Sequence, residues 1–172
     1  MQYTLIKGTF HVVSQSPDAD SVKFRATDPL LWAKIDTDNR AIFERNFIEE
    51  AGVITVRLEG IDALETHYAA ANLPAPEDVK LLKNITLAAP TPLQVKQPSD
   101  MGTLSTNVFL SFLGVTDAKW RTFGKSRYIS EARVNNVIIK KKLEDQIPGY
   151  IICGDIEMNG RPVAFVYVGE TS

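Results

Sequence analysis

The sequence predicts a mainly β fold with added helix, an α+β chain whose five short strands close, or partly close, into a small barrel. Three observations carry this reading. Val53-Ile-Thr-Val-Arg-Leu58 alternates branched apolar residues with polar ones, the pattern of a strand with one face on a core. Upstream, two apolar runs flank the polar corner Ser14 to Asp20 and read as a hairpin. Near the end, Asn159-Gly160 separates two further alternating runs, a strong short-range hairpin signal.

Taken in order, Leu5 to Val13 is the first strand, with a bend or bulge expected at Gly8. Ser21 to Ala26 is the second, which puts Asp18 and Asp20 at the tip or base of the hairpin. Acids there serve turn chemistry as readily as metal chemistry. Asp28-Pro-Leu-Leu-Trp32 reads as a helical turn begun by proline, Thr37 to Arg40 as a loop, and Ala41 to Ile48 as a short strand or an apolar flap. Trp32 and Phe43 are expected in the core or covering its edge. Val53 to Leu58 is the third strand.

Beyond it, Pro74, Pro76, Pro90, Pro92 and Pro98 predict a long surface excursion. It opens on a turn or two of helix at Tyr68 to Asn72, and Leu87 to Val95 crosses the body in extended form. Met101 to Gly114 has helical periodicity, with Leu104, Val108, Phe109 and Phe112 as a stripe expected to face the core and Gly114 as a stop. Val115 to Tyr128 sets Lys119, Trp120, Arg121, Lys125 and Arg127 around a glycine. Such a mixture can track a nucleic-acid backbone and stack on bases, or be a solvated loop. Ser130 to Ile147 is expected to be a second helix, capped by Ser130, with Val134, Val137, Ile138 and Lys141 inward and Pro148-Gly149 ending it. Tyr150 to Ile156 and Arg161 to Val168 are the fourth and fifth strands.

The 172 residues suit one domain with a real core. A net charge of -2 and a pI near 5.7 provide no general basic field, so a polyanion would need a local positive site or bound metal. The single Cys153 excludes an internal disulfide and reads as a small buried hydrophobe. His11 and His67 are too few for a multi-histidine metal site. No basic leader precedes an apolar run, and no stretch reaches the roughly 20 apolar residues of a membrane span. The expectation is a soluble chain, cytoplasmic by default, with no membrane partner.

The third strand ends in unusual charge: Arg57 on it, then Gly60, Asp62 and Glu65. An unpaired carboxylate there would cost several kcal/mol if desolvated. One acid can hold a hard cation, a second can orient or deprotonate water, and an arginine can grip phosphate in bidentate fashion. The alternative is a surface ion pair at a strand end.

Three pieces in this order, Asp18-Ala-Asp20-Ser-Val, Val56-Arg57-Leu-Glu-Gly-Ile-Asp62-Ala-Leu-Glu65 and Asn159-Gly160-Arg161-Pro-Val-Ala-Phe-Val-Tyr, resemble the staphylococcal nuclease-like, or thermonuclease, family. The resemblance covers about residues 3 to 68 and 150 to 168 and extends to the helix at 101 to 114. It implies one domain over 1–172 built on a five-stranded oligonucleotide-binding-type barrel, with an enlarged, diverged helical and loop insertion at about 69–149. The implied activity is calcium-dependent hydrolysis of DNA and RNA. Asp20, Asp62 and the backbone carbonyl of Ala63 would hold Ca2+. Arg57 and Arg161 would clamp the phosphate, and Glu65 would position or deprotonate the attacking water. Apart from the resemblance, His67 beside this site and Lys119, Trp120 and Arg121 of the basic, aromatic stretch are candidate substrate contacts, the alternatives being a contact of His67 with its own loop and a solvated loop for the other three; single-stranded DNA or RNA is the expected partner. The chain departs from the family at Ala19, Ala63 and Leu64, which stand where glycine, threonine and proline are usual. The family's helices after the fifth strand have no counterpart before Ser172, so either the inserted region from Thr66 to Gly149 is expected to replace that wall, or a missing C-terminal segment or a homo-oligomer to complete the barrel. Function as a catalytically weak module for binding or assembly is the alternative.

Overall fold

In the computed structural model, residues 2–61, 99–124 and 126–170 are described, the side chains of 99 and 100 excepted. The elements are β1 (Thr4–His11), β2 (Ser21–Ala26), a 3-10 turn (Pro29–Lys34), β3 (Asp36–Thr37), α1 (Arg40–Glu49) and β4 (Val53–Leu58). Then come α2 (Ser99–Phe112), β5 (Val115–Phe123), β6 (Ser126–Val134), β7 (Val137–Ile139), β8 (Ile147–Ile156) and β9 (Pro162–Val168).

Strand pairing runs β1-β2-β4-β9-β8, and β8 returns to pair with β1, so five strands close on themselves and leave no open edge in the ring. All neighbours are antiparallel except β4 and β9. This connectivity is consistent with an oligonucleotide-binding-type barrel. The short β3 pairs in parallel with the end of β8, at Asp155 and Ile156, beyond the stretch that pairs with β1. A second sheet, β5-β6-β7, stands beside the barrel.

Alternation decides which residues fill the ring. Ile6, Phe10, Val22, Phe24, Ile54, Val56, Ile151, Cys153 and Ala164 are all buried. The core then continues outward as an aromatic chain: Phe10 to Phe24 at 5.0 Å between centroids, Phe24 to Trp32 at 6.4 Å, and Trp32 to Phe43 at 5.6 Å. Trp32 and Phe43 are thus core residues, as expected. Asp28 caps the 3-10 turn by accepting from the Leu30 N–H at 3.0 Å, with Pro29 in its first position.

Four expectations are corrected. Ala41 to Ile48 is neither strand nor flap but lies in α1, capped by Asn39, whose side chain accepts from Ile42 N–H. Gly8 makes no bulge; register runs evenly through Gly8 opposite Ala26 and Gly149. Glycine is needed there because a Cβ would sit 2.5 Å from the Phe24 ring and 2.1 Å from the Arg25 carbonyl oxygen. Ser130 to Ile147 is not a helix: β6 runs to Val134, turns through Asn135 and Asn136 at positive φ, and returns as β7. Side-by-side asparagines that tolerate the left-handed region outweighed a weak helical period. Pro148-Gly149 ends nothing and lies inside β8. The expectations for Thr66 to Pro98 fall outside the described residues.

The 101–114 helix exists as α2, but its face differs from the one expected. Phe109 is buried with Leu110 and Leu113, whereas Leu104, Val108 and Phe112 are more than half exposed. With Phe165 and Tyr167 of β9 they border an apolar groove of about 800 Å³ that reaches Ala19 and Glu59.

Cys153 behaves as a core residue. It is wholly buried, and burial, helped by the nearby Asp155 charge, pushes its thiol up to about 12. The folded chain is therefore expected to resist maleimide at neutral pH and to take one label once unfolded. Stoichiometric labelling of native protein, read by mass spectrometry, would contradict this.

Candidate active site

Three of the residues expected to act together lie on β4 or just before β2 and β9, and the barrel brings their backbones together. Asp20 directly precedes β2; its carbonyl accepts from the Leu58 N–H at 2.7 Å, binding the start of β2 to the end of β4. Ser21 stands opposite Arg57, and Arg57 stands opposite Val163 on β9. Arg161 lies two residues before Val163. Side chains two apart share a face. Ile54, Val56 and Leu58 point into the barrel, so Arg57 points out, on the side shared by Val163 and Arg161.

What holds Arg161 there is the turn before β9. Gly160 adopts φ +73°, and a Cβ would meet Ile42 and the Phe43 backbone at 2.9 Å. Asn46 of α1 donates to the Asn159 carbonyl at 3.2 Å. Helix α1 thus buttresses the Asn159-Gly160 turn that sequence analysis identified. The Arg161 Nε is engaged by the Glu157 carboxylate in a close, partly buried ion pair, a partner that sequence analysis missed. An i,i+4 pair around a tight turn gives no periodic signal.

After Leu58 the chain stays between its neighbours for one more residue, Glu59 N–H donating to the Ala164 carbonyl at 2.9 Å, and turns at Gly60 with φ +69°. Asp62, Ala63, Glu65 and His67 lie outside the described residues. Among the described residues no group of three or more His, Cys, Asp or Glu side chains is placed to hold a metal ion. Asp20 contributes one oxygen donor of the kind calcium takes, and one carboxylate alone does not make a site.

The remaining expected contacts lie on the second sheet. Lys119, Trp120 and Arg121 are consecutive in β5, so they do not share a face: Lys119 and Arg121 point out, while Trp120 packs partly against the core. Trp120 is covered by the Arg127 guanidinium, 4.4 Å from its ring centre. Its indole is therefore not an open stacking surface beside the two basic groups. Lys119 pairs with Glu131 at 2.7 Å, and that hydrogen bond holds the Glu131 carboxyl below the usual range.

A buried polar cluster that no sequence pattern announces joins β1 to the approach to β8. His11 and Asp145 are both essentially inaccessible, with Nδ1 and Oδ1 2.9 Å apart. The other carboxylate oxygen accepts from Val12 N–H at 2.5 Å and Val13 N–H at 2.8 Å. A carboxylate only accepts, so Nδ1 carries the ring proton. In the neutral ring Nε2 then accepts from the Thr9 hydroxyl at 3.0 Å. Burial alone would raise the Asp145 pKa, but the bonds from His11, Val13 and Val12 outweigh it and hold the group below its ordinary value. The residues are 134 apart in sequence, and a lone histidine and a lone aspartate carry no joint signal.

Comparison with known proteins found no matching family model, no similar curated protein and no similar solved structure. Among the described residues no helix is long and apolar enough to cross a membrane.

Proposed function

We propose that the chain hydrolyses phosphodiester bonds of single-stranded DNA or RNA with calcium, at the end of the barrel where β2, β4 and β9 meet. The observation that supports this reading is the pairing that sets Arg57 on β4 between the start of β2, which Asp20 precedes, and the start of β9, which Arg161 precedes, with the sequence Gly60-Ile-Asp62-Ala-Leu-Glu65 following just after β4. Asp20, Asp62 and the Ala63 carbonyl would hold the ion, which supplies positive charge at the phosphate. Arg57 and Arg161 donate to the equatorial oxygens as negative charge develops on them, where a fixed guanidinium is most effective. Glu65 takes a proton from the attacking water. On this reading residues 69–149 form an enlarged insertion in one nuclease-like domain.

One observation favours a second reading, a catalytically weak barrel used for binding or assembly, as a homo-oligomer or with a further segment. Arg161 is already paired with Glu157, so a phosphate must compete for it.

The test is cleavage of a fluorescent single-stranded oligonucleotide. The native chain is expected to cleave with calcium and not with EDTA, and Glu65→Gln to lose the activity. Cleavage unchanged in Glu65→Gln would remove the assigned base. No cleavage by folded native protein would favour the second reading.

A further inference from the structure

The chain's charge is unevenly distributed. Residues 115–142 hold eight lysines and arginines against two acids, while the whole chain has 19 basic and 21 acidic residues. The stretch that carries the β5-β6-β7 sheet, with the Lys140-Lys-Lys142 run after it, is thus basic on an otherwise acidic protein; within the strands Lys119, Arg121, Arg127 and Arg133 stand against Asp117 and Glu131.

Its register sorts the side chains by face. Lys119 opposite Glu131, Arg121 opposite Tyr128 and Phe123 opposite Ser126 lie on the outer face. Trp120 opposite Ile129 and Ala118 opposite Ala132 lie on the inner one, against the core. An extra residue in β6 at Ser130 restores this alternation after Glu131, which sets Tyr128 beside Arg121. Arg133 opposite Ile138 continues the outer face, and Lys140 reaches it by pairing with Glu131 at 3.3 Å. The result is an outward surface of Lys119, Arg121, Arg133 and Lys140 interleaved with Phe123 and Tyr128, on which Glu131 pairs with Lys119 and Lys140 and Asp117 stands opposite Arg133, four basic groups against two acids. Phe123 is 82% exposed at the hairpin end. A phenylalanine so exposed contributes nothing to the core and offers a flat face for stacking.

The sheet is tied to the barrel beside the candidate active site. Ser14 N–H donates to the Ile129 carbonyl at 2.7 Å, Ile129 N–H donates to Gln15 at 2.8 Å, and Asp145 grips Val12 and Val13. The segment Val12 to Gln15, to which β6 is bonded, runs on to Asp18 and Asp20.

We infer that the outer face of β5-β6-β7 is a binding surface for single-stranded nucleic acid, holding phosphates with Lys119, Arg121, Arg133 and Lys140 and bases with Phe123 and Tyr128. Charge complementarity selects a polyanion, and the exposed rings select one with unstacked bases. At nine residues β5 is about 30 Å long, room for several nucleotides. The inference takes its polymer from the nuclease reading and deepens it by adding a place where the strand is held outside the barrel.

The test is fluorescence anisotropy with a fluorescein-labelled oligothymidylate in EDTA, comparing the native chain with Arg121→Ala/Phe123→Ala. Both side chains are exposed, so the variant is expected to keep the native melting curve and circular dichroism. Its affinity should fall about tenfold or more, and the slope of log K against log salt should lessen by about 0.7 for the lost phosphate contact. As a second probe, Arg133→Glu should weaken binding further, most at low salt, and make the salt slope shallower again. Unchanged affinity in both variants would overturn the inference. So would equal binding to a duplex of the same sequence, or binding to phosphatidylserine vesicles in place of the oligonucleotide. Cleavage of a p-nitrophenyl ester of a single nucleotide, too small to reach the sheet, separates the two proposals. A hairpin variant that still cleaves the ester but has lost oligonucleotide affinity supports both. Native protein that binds through the sheet but cleaves nothing retains this inference and removes the nuclease.

Discussion

Asp145→Ala is expected to lower the stability of the folded chain by about 3–5 kcal/mol, the cost of removing one partner of a buried polar pair. The carboxylate accepts from three donors that water cannot reach: His11 Nδ1, Val12 N–H and Val13 N–H. Alanine leaves all three unsatisfied, at about 1–3 kcal/mol each before relaxation. Urea or thermal unfolding followed by circular dichroism checks the value, and a loss under about 1 kcal/mol would mean that water or another acceptor replaces the carboxylate. The pH dependence has a definite sign. The folded pKa of Asp145 is lowered, so the unfolded chain takes up the proton first as pH falls. The stability it contributes is fully present above the ordinary carboxylate value of about 4 and is lost below it, down through the folded pKa. Asp145→Asn should lack that part of the acid-side fall, while a parallel curve would assign the dependence to other groups.

Arg57→Ala is expected to reduce calcium-dependent cleavage by about 10²–10³-fold, the usual consequence of deleting one fixed donor to a developing negative charge. Arg57 is on the middle strand of the three that meet at the candidate site, between Ser21 and Val163. Arg57→Lys keeps the charge but not the two-pronged donor, so it should recover only part of the rate. Single-turnover cleavage at saturating substrate gives the number, and circular dichroism separates lost chemistry from lost fold. A rate unchanged in Arg57→Ala would remove the arginine from the mechanism.

Much of the barrel was legible because its strands carry their own periodicity. The two faces of Val53 to Leu58, the polar corner before Ser21 and the Asn159-Gly160 turn each specify local geometry that the tertiary structure has no reason to override. The β5-β6-β7 sheet was not legible. Its two register irregularities, between Val115 and Asp117 and between Lys119 and Trp120, break the period of two, and the remaining apolar spacing between Val134 and Ile138 imitates a helix.

For α2 the sequence determined the helix but not its orientation. A stripe of Leu104, Val108 and Phe112 next to Phe109, Leu110 and Leu113 is apolar over too wide an arc to say which part meets the core. The approach of β5 at Gly114 settles that in favour of Leu110 and Leu113. At the candidate site, sequence determined which charged residues follow which strand. Only the pairing of β2 with β4 and of β4 with β9 brought the backbones of Asp20, Arg57 and Arg161 together, and only the way the Asn159-Gly160 turn folds put Glu157 against Arg161. The physical reason is range. Alternation, turn preference and capping act over a few residues and are written in the chain, whereas register between distant strands and the pairing of buried charges appear only when those strands meet.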